Sequence, residues 1–188
     1  ALAAFLITGF GNVLNDIVDV DLDRRAHPDR PLPSGRLQVR DAQAFAAILV
    51  GLGVWEAFVA AGTPTLLFAV ANVGALVLYE RWGKRHGLVG NVLVAWLVAS
   101  AFLFGALATR AEPGTWGLVV ALASMAFLTN LARELLKDLQ DVDADRGTRR
   151  TFPMAAGAQL TRAVAAGLTL AAISLSGSQD FSISTRAT

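Results

Sequence analysis

The chain contains no cysteine, which removes disulfide frameworks, zinc–cysteine sites and thiol nucleophiles from consideration. Charge is also scarce. Asp, Glu, Lys and Arg make up 16% of the residues, against about 25% in an ordinary soluble domain. No initiating Met and no charged region with a cleavage site precede the first apolar stretch, so residues 1–14 are not a signal peptide. They read as the end of a membrane helix whose beginning is missing. In place of charge the chain is 54% hydrophobic, with a mean hydropathy of +0.51. Its length alone suits one globular domain, but hydropathy overrides that reading.

Six apolar stretches, roughly 1–14, 42–62, 65–79, 88–109, 115–132 and 160–175, alternate with polar connectors. A helix needs about 20 apolar residues to cross the hydrocarbon core. Inside lipid the backbone must satisfy its own hydrogen bonds, which leaves helices or a closed barrel. Runs rich in Ala and Leu without strict alternation favour helices. The expected fold is an all-α, polytopic integral-membrane helical bundle with about six transmembrane helices.

The positive charges are unevenly placed. Arg24, Arg25, Arg30, Arg36 and Arg40 lie between the first two stretches, and Arg81, Lys84 and Arg85 between the third and fourth. Arg133, Lys137, Arg146, Arg149, Arg150 and Arg162 surround the connector after the fifth, whereas residues 62–65 and 109–115 hold only Arg110. Basic alternate connectors are expected in the cytoplasm under the positive-inside rule. The expected location is therefore the cell (inner) membrane, with the chemistry facing the cytoplasm. Residues 1–175 read as one domain, incomplete at both ends. Residues 176–188 read as a polar tail, disordered or left by truncation.

An acidic pattern occurs twice. Residues 15–25 read NDIVDVDLDRR and residues 137–147 read KDLQDVDADRG. With a displacement of 122 residues, Asp16, Asp19, Asp21, Asp23 and Arg24 match Asp138, Asp141, Asp143, Asp145 and Arg146. This suggests internal duplication and a site built from both copies. On a continuous helix Asp16, Asp19 and Asp23 share one face, spanning about 10 Å at about 1.5 Å per residue. Asp138, Asp141 and Asp145 repeat the arrangement. Clustered carboxylates repel unless a cation offsets them. Oxygen-only ligands suit Mg²⁺, which keeps waters and is often shared with substrate phosphates, so two such faces can clamp a diphosphate.

Other readings are weighed against this one. A calcium loop beginning at Asp19 has Arg24 at the position that needs Gly and Arg30 where Glu is required. A solvated acidic helix end is the ordinary reading of one copy and a poorer reading of a matched pair. A cation-transporting or non-catalytic bundle is the alternative of another class, but the acids sit at connectors and Glu56 is the main charge within an apolar stretch. His27 and His86 lie in basic loops without metal-ligand spacing and are expected at the surface. Asn72 and Asn130 are expected to bond between helices, and Glu56 to turn into the bundle and pair.

With these residues in view, the sequence resembles the UbiA superfamily of intramembrane prenyltransferases. Asn15-Asp16-x-x-Asp19-x-x-x-Asp23 matches its first motif, and Asp141-x-x-x-Asp145 its second, extended upstream by Arg133-Glu134-x-x-Lys137-Asp138. Residues 27–35, HPDRPLPSG, resemble the signature that follows the first motif. Tyr79 and Lys84 resemble a Tyr–Lys element, although four residues separate them here rather than three. The resemblance implies about nine membrane helices of about 20 residues each, so that only part of the bundle is present. It implies an enzyme, a prenyltransferase, with Mg²⁺ as cofactor. Its partners would be a prenyl diphosphate donor, a lipid or aromatic acceptor and membrane lipid, with no nucleic acid.

The resemblance also implies site residues. Asp16, Asp19, Asp23, Asp138, Asp141 and Asp145 would hold the metal and do the catalytic work. Asn15, Arg30, Tyr79, Lys84, Asn91 and Lys137 would bind substrate, and Asn12, one turn before Asp16 on the same helix face, is grouped with them. Several have a plainer reading alongside: Lys84 as a snorkelling anchor, Arg30 as a loop holder through carboxylates, and Asn91 as a helix cap. Pro28, Pro31 and Pro33 stop the first helix and stiffen the loop. The stretch 23–36 most resembles enzymes that prenylate geranylgeranylglyceryl phosphate. Aromatic or tetrapyrrole acceptors, as in quinone or chlorophyll pathways, are the alternative.

Overall fold

The computed structural model describes residues 1–145 and 150–184, without the side chains of 144–145 and 178–184. Among them the chain is all-helical, without strands, and forms a polytopic membrane helix bundle. Contacts divide it after Arg81 into two compact units.

In the first unit, α1 (Leu2–Val18) is followed by a short α2 (Val20–Ala26), then by α3 (Val39–Ala61) and α4 (Thr63–Arg81). The stop at Ala26 follows from Pro28, since the residue before a proline is driven out of the α region; His27 has φ −141° and ψ 63°. α3 and α4 form a tight hairpin at Gly62, whose amide donates to the Phe58 carbonyl at 2.7 Å. The fully buried Thr65 hydroxyl closes it by donating to the Ala57 carbonyl at 2.6 Å. α1 packs against both α3 and α4.

In the second unit, a 3-10 turn (Gly83–Arg85) leads into α5 (Gly87–Ala108), and α6 runs Trp116–Gln140. A short α7 (Val142–Asp145) follows, then α8 (Phe152–Ala156) and α9 (Ala158–Ser184). α6 packs on α5 and on α9, and α8 lies against α6 and α9. Gly87 sits at φ +32° with its Cα facing the Arg150 carbonyl so closely that a Cβ there would collide with it. Only glycine combines that backbone conformation with that approach.

Burial explains why these helices suit lipid. The buried apolar residues are mostly alanines, such as Ala42, Ala57, Ala69, Ala95 and Ala165. The large side chains point outward: Phe5 is 73% exposed, and Trp55, Leu67, Leu170 and Ile173 are similarly bare. Small residues let helix backbones approach, while bulky apolar ones face a solvent as apolar as themselves. Among the described residues five helical stretches are long and apolar enough to cross a membrane, or six if α1 and α2 count as one bent span. Only 17–33% of each apolar window is buried, so most of that surface faces outward.

Two boundaries differ from the sequence expectation. Hydropathy ends the fifth stretch near residue 132, yet α6 continues to Gln140 and carries Arg133, Lys137 and Asp138 on helix. The tail from residue 176, expected to be disordered or left by truncation, continues as α9 to Ser184. Residues 178–184 contain no proline or glycine, and other residues each cost at most about 0.7 kcal/mol in helix propensity. Residues 185–188 lie outside the described ones.

Candidate active site

Asp19 interrupts the first acidic motif instead of lying within one helix. It caps α1 at φ −91° and ψ 3°, and α2 departs from α1 at 70°. The Asp19 amide still donates to the Asn15 carbonyl at 2.9 Å, and the Asp23 amide to the Asp19 carbonyl at 2.8 Å. The bend therefore leaves the amides of Asp19 and Asp23 hydrogen-bonded. It corrects the expectation that Asp16, Asp19 and Asp23 form one straight face about 10 Å long. Asp16 lies in the last turn of α1, Asp23 belongs to α2, and Asp19 is the joint.

The second copy breaks at the matching place. Asp141 caps α6 at φ −93° and ψ 4°, and its amide donates to the Lys137 carbonyl at 3.0 Å. The duplication read in the sequence is thus a duplication of backbone conformation. Asp145 ends α7, and its side chain lies outside those described.

In the first unit Asp16 is exposed, while Asp23 is only 8% exposed. Asp23 accepts a hydrogen bond from Arg30 Nη1 at 2.7 Å. Of the two readings of Arg30, the observed contact is the carboxylate one. The loop beyond is held by the Ser34 amide donating to the Arg30 carbonyl and the Leu37 amide to the Pro31 carbonyl, each at 3.0 Å. Arg36 adds bonds to Ser34 Oγ and the Asp29 carbonyl. Between this loop, α1 and α3 lies a cavity of about 570 Å³. Asp16, Asp23, Arg30 and Asp41 line its polar side, and Val13 and Phe45 part of its apolar wall. Asp21 is exposed, pairs with Arg24 at 2.6 Å and is not among the residues that line the cavity. Asn12 is exposed on α1, and Tyr79 is half-buried on the last turn of α4.

In the second unit Asn91, buried near the start of α5, donates from Nδ2 to Asp138 Oδ2 at 2.8 Å. Asn91 is therefore no helix cap: it fixes the rotamer of the motif's first carboxylate from the neighbouring helix. Glu134, one turn earlier on α6, is buried and lies 3.4 Å from Arg133. Lys84 is half-buried in the 3-10 turn, and Lys137 and Asp141 are exposed. Asn72 and Asn130 differ from the expectation of interhelical bonds. Each donates to the carbonyl four residues earlier on its own helix, Phe68 and Ala126, because that acceptor is always within reach of a helical amide side chain. Glu56 is half-buried, and His86 lies exposed, stacked on Trp82.

Sequence reasoning missed Glu80. It is 6% exposed at the end of α4 and accepts a hydrogen bond from Asn15 Nδ2 at 3.3 Å. The available signal was a carboxylate closing an otherwise apolar span.

Helices of this kind, carrying twice-repeated aspartate breaks, define a class of membrane protein. The family model described as the UbiA prenyltransferase family matches residues 1–183, and the chain belongs to that family. It is 44% identical over 166 residues to the digeranylgeranylglyceryl phosphate synthase of Methanoculleus marisnigri, covering 86% of this chain and 57% of that protein. The protein of the same name from Methanopyrus kandleri is 41% identical over 158 residues, covering 83% of this chain and 56% of the relative. A solved structure concerning digeranylgeranylglyceryl phosphate synthase in membranes superimposes with a TM-score of 0.81 at 32% identity, covering 93% of this chain and 61% of that one. A UbiA homologue from Aeropyrum pernix K1 shares the fold, with a TM-score of 0.75 at 22% identity over 92% of this chain and 66% of the other. The chain thus spans little more than half the length of these curated relatives.

Prenyltransferases of this family generally depend on a divalent metal. Among the described residues no three His, Cys, Asp or Glu groups converge to hold an ion by themselves. The donors are carboxylates, and Mg²⁺ is commonly bound by one or two carboxylates together with substrate phosphates. The residues present fit a metal that binds along with a diphosphate.

Proposed function

We propose that the whole protein transfers a geranylgeranyl group from geranylgeranyl diphosphate to geranylgeranylglyceryl phosphate. The observation that carries this reading is the pair of matched aspartate breaks on a chain 44% identical to a digeranylgeranylglyceryl phosphate synthase. Asp16, Asp19, Asp23, Asp138, Asp141 and Asp145 are the residues that would hold Mg²⁺, with both copies serving the same reaction. Bound there, Mg²⁺ supplies positive charge against the diphosphate as it leaves.

The chain's own side chains have separate tasks. Asn91 orients Asp138, and Arg30 holds the loop over Asp23. Lys84 and Lys137 offer cationic donors to diphosphate oxygens; Asn15 and Tyr79 are assigned to substrate on the family's motifs, and Asn12 because it lies one turn before Asp16 on α1. The allylic C–O bond of the donor breaks, diphosphate leaves, and the acceptor's hydroxyl oxygen forms the new C–O bond and loses its proton. Apolar walls that exclude water protect the allylic cation from hydrolysis. The basic connectors support a cell-membrane location with these motifs facing the cytoplasm.

The test is product formation by the full-length protein given geranylgeranyl diphosphate, geranylgeranylglyceryl phosphate and Mg²⁺. A dialkylated glyceryl phosphate, lost on chelation, is expected. Prenylation of an aromatic acid with the glyceryl phosphate left untouched would overturn the acceptor.

A further inference from the structure

Glu80 has no place in the motifs, yet it sits where a carboxylate is costly. It is 6% exposed at the end of a helix whose other charged residue is Arg81 beside it. Burying a carboxylate is unfavourable unless hydrogen bonds offset the lost hydration, and ionisable groups in membrane helices tend to mark function. Asn15 Nδ2, on the residue immediately before Asp16, donates a hydrogen bond to Glu80.

The packing of α1 on α4 explains the pairing. A Cβ on Gly11 would lie 2.8 Å from Leu76 Cδ2, so the two helices are in close contact there. One turn further along each helix, Asn15 meets Glu80. The short Asn side chain spans the gap because the preceding turn is so tight. Asn15 is also the residue whose carbonyl accepts the Asp19 amide at 2.9 Å. Its side chain is thereby anchored to α4 and its backbone to the joint of the motif.

We propose that Glu80 is a positioning residue for the first acidic motif: its buried carboxylate holds Asn15, and through it the last turn of α1 that presents Asp16 and Asp19. This rests on the metal-binding role assigned to those aspartates above. Groups that orient metal ligands typically affect metal affinity by about 10–100-fold when removed.

The experiment uses the full-length protein in detergent, with Mn²⁺ as an EPR-visible stand-in for Mg²⁺ and inorganic diphosphate present. Glu80→Leu removes the acceptor, and Asn15→Asp sets carboxylate against carboxylate. The double variant Asn15→Asp/Glu80→Gln restores the bond with its direction reversed. Thermal unfolding of each metal-free variant checks that it is folded. Mn²⁺ affinity should fall about tenfold in each single variant and return to within about threefold of the parent in the double. Unchanged affinity in Glu80→Leu, or a double variant no better than Asn15→Asp, overturns the positioning role, as does a parent that binds no Mn²⁺. A parent that binds Mn²⁺ and shows this pattern but forms no prenylated product refutes the proposed reaction and leaves the positioning role standing.

Discussion

Asp19 and Asp141, 122 residues apart, adopt the same backbone conformation within 2° in φ and 1° in ψ. Each accepts the end of a long helix and starts a short one. A turn that takes a carboxylate out of helical register in two places, at matched positions of a repeat, argues that the joint itself is what was duplicated.

Removing the charge at either joint should therefore have the same consequence. Asp19→Asn and Asp141→Asn keep size and nearly keep propensity, and each should lower turnover of the full-length enzyme by orders of magnitude without loss of folded protein. Combined, they should cost little more than the worse single change, because residues acting as a unit are not additive. Asp21→Asn should remain active, since Asp21 faces outward to Arg24. Steady-state kinetics with size-exclusion profiles read the outcome. An inactive Asp21→Asn beside active Asp19→Asn would reverse the assignment.

The Arg30–Asp23 pair should hold the proline-rich loop. Arg30→Met leaves the Asp23 carboxylate buried without this donor, a loss of about 1–3 kcal/mol. Hydrogen exchange at the amides of Ser34, Gly35 and Leu37 should accelerate, while amides in the middle of α3 stay protected. Equal acceleration throughout the unit would mean that the pair supports the whole bundle.

Gly87→Ala should destabilise the second unit by more than about 1 kcal/mol, because a positive φ tolerates alanine poorly and the new methyl meets the Arg150 carbonyl. The thermal midpoint in detergent should fall. Gly117→Ala, with open space around it, is the control and should match the parent.

The absence of cysteine makes sidedness easy to measure. Ser34→Cys is exposed in the loop after the first motif and should react with a membrane-impermeant maleimide only after the cells are opened. Labelling from outside intact cells would invert the orientation drawn from the Lys and Arg distribution.

The class of fold was legible because hydropathy is a local property. A run of about 20 apolar residues declares a membrane helix whatever surrounds it, and the chain's apolar stretches all became helix. The aspartate repeat was legible for a similar reason: identity at a constant displacement needs no coordinates. It was enough to mark the family, which the match over residues 1–183 bears out. Local spacing could not report how the helices continue. Asp16, Asp19 and Asp23 fall on one face only if the helix is unbroken, and the 70° bend at Asp19 appears only in the structure, where Asp23 on α2 meets Arg30 in the loop beyond. Partners distant in sequence were equally out of reach. Nothing in a one-dimensional pattern links Asn15 to Glu80, 65 residues away, or Asn91 to Asp138, 47 residues away. A hydrogen bond selects by distance and direction in space, and only helix packing, here tight enough at Gly11 and Leu76 to bring α1 against α4, decides which polar side chains meet.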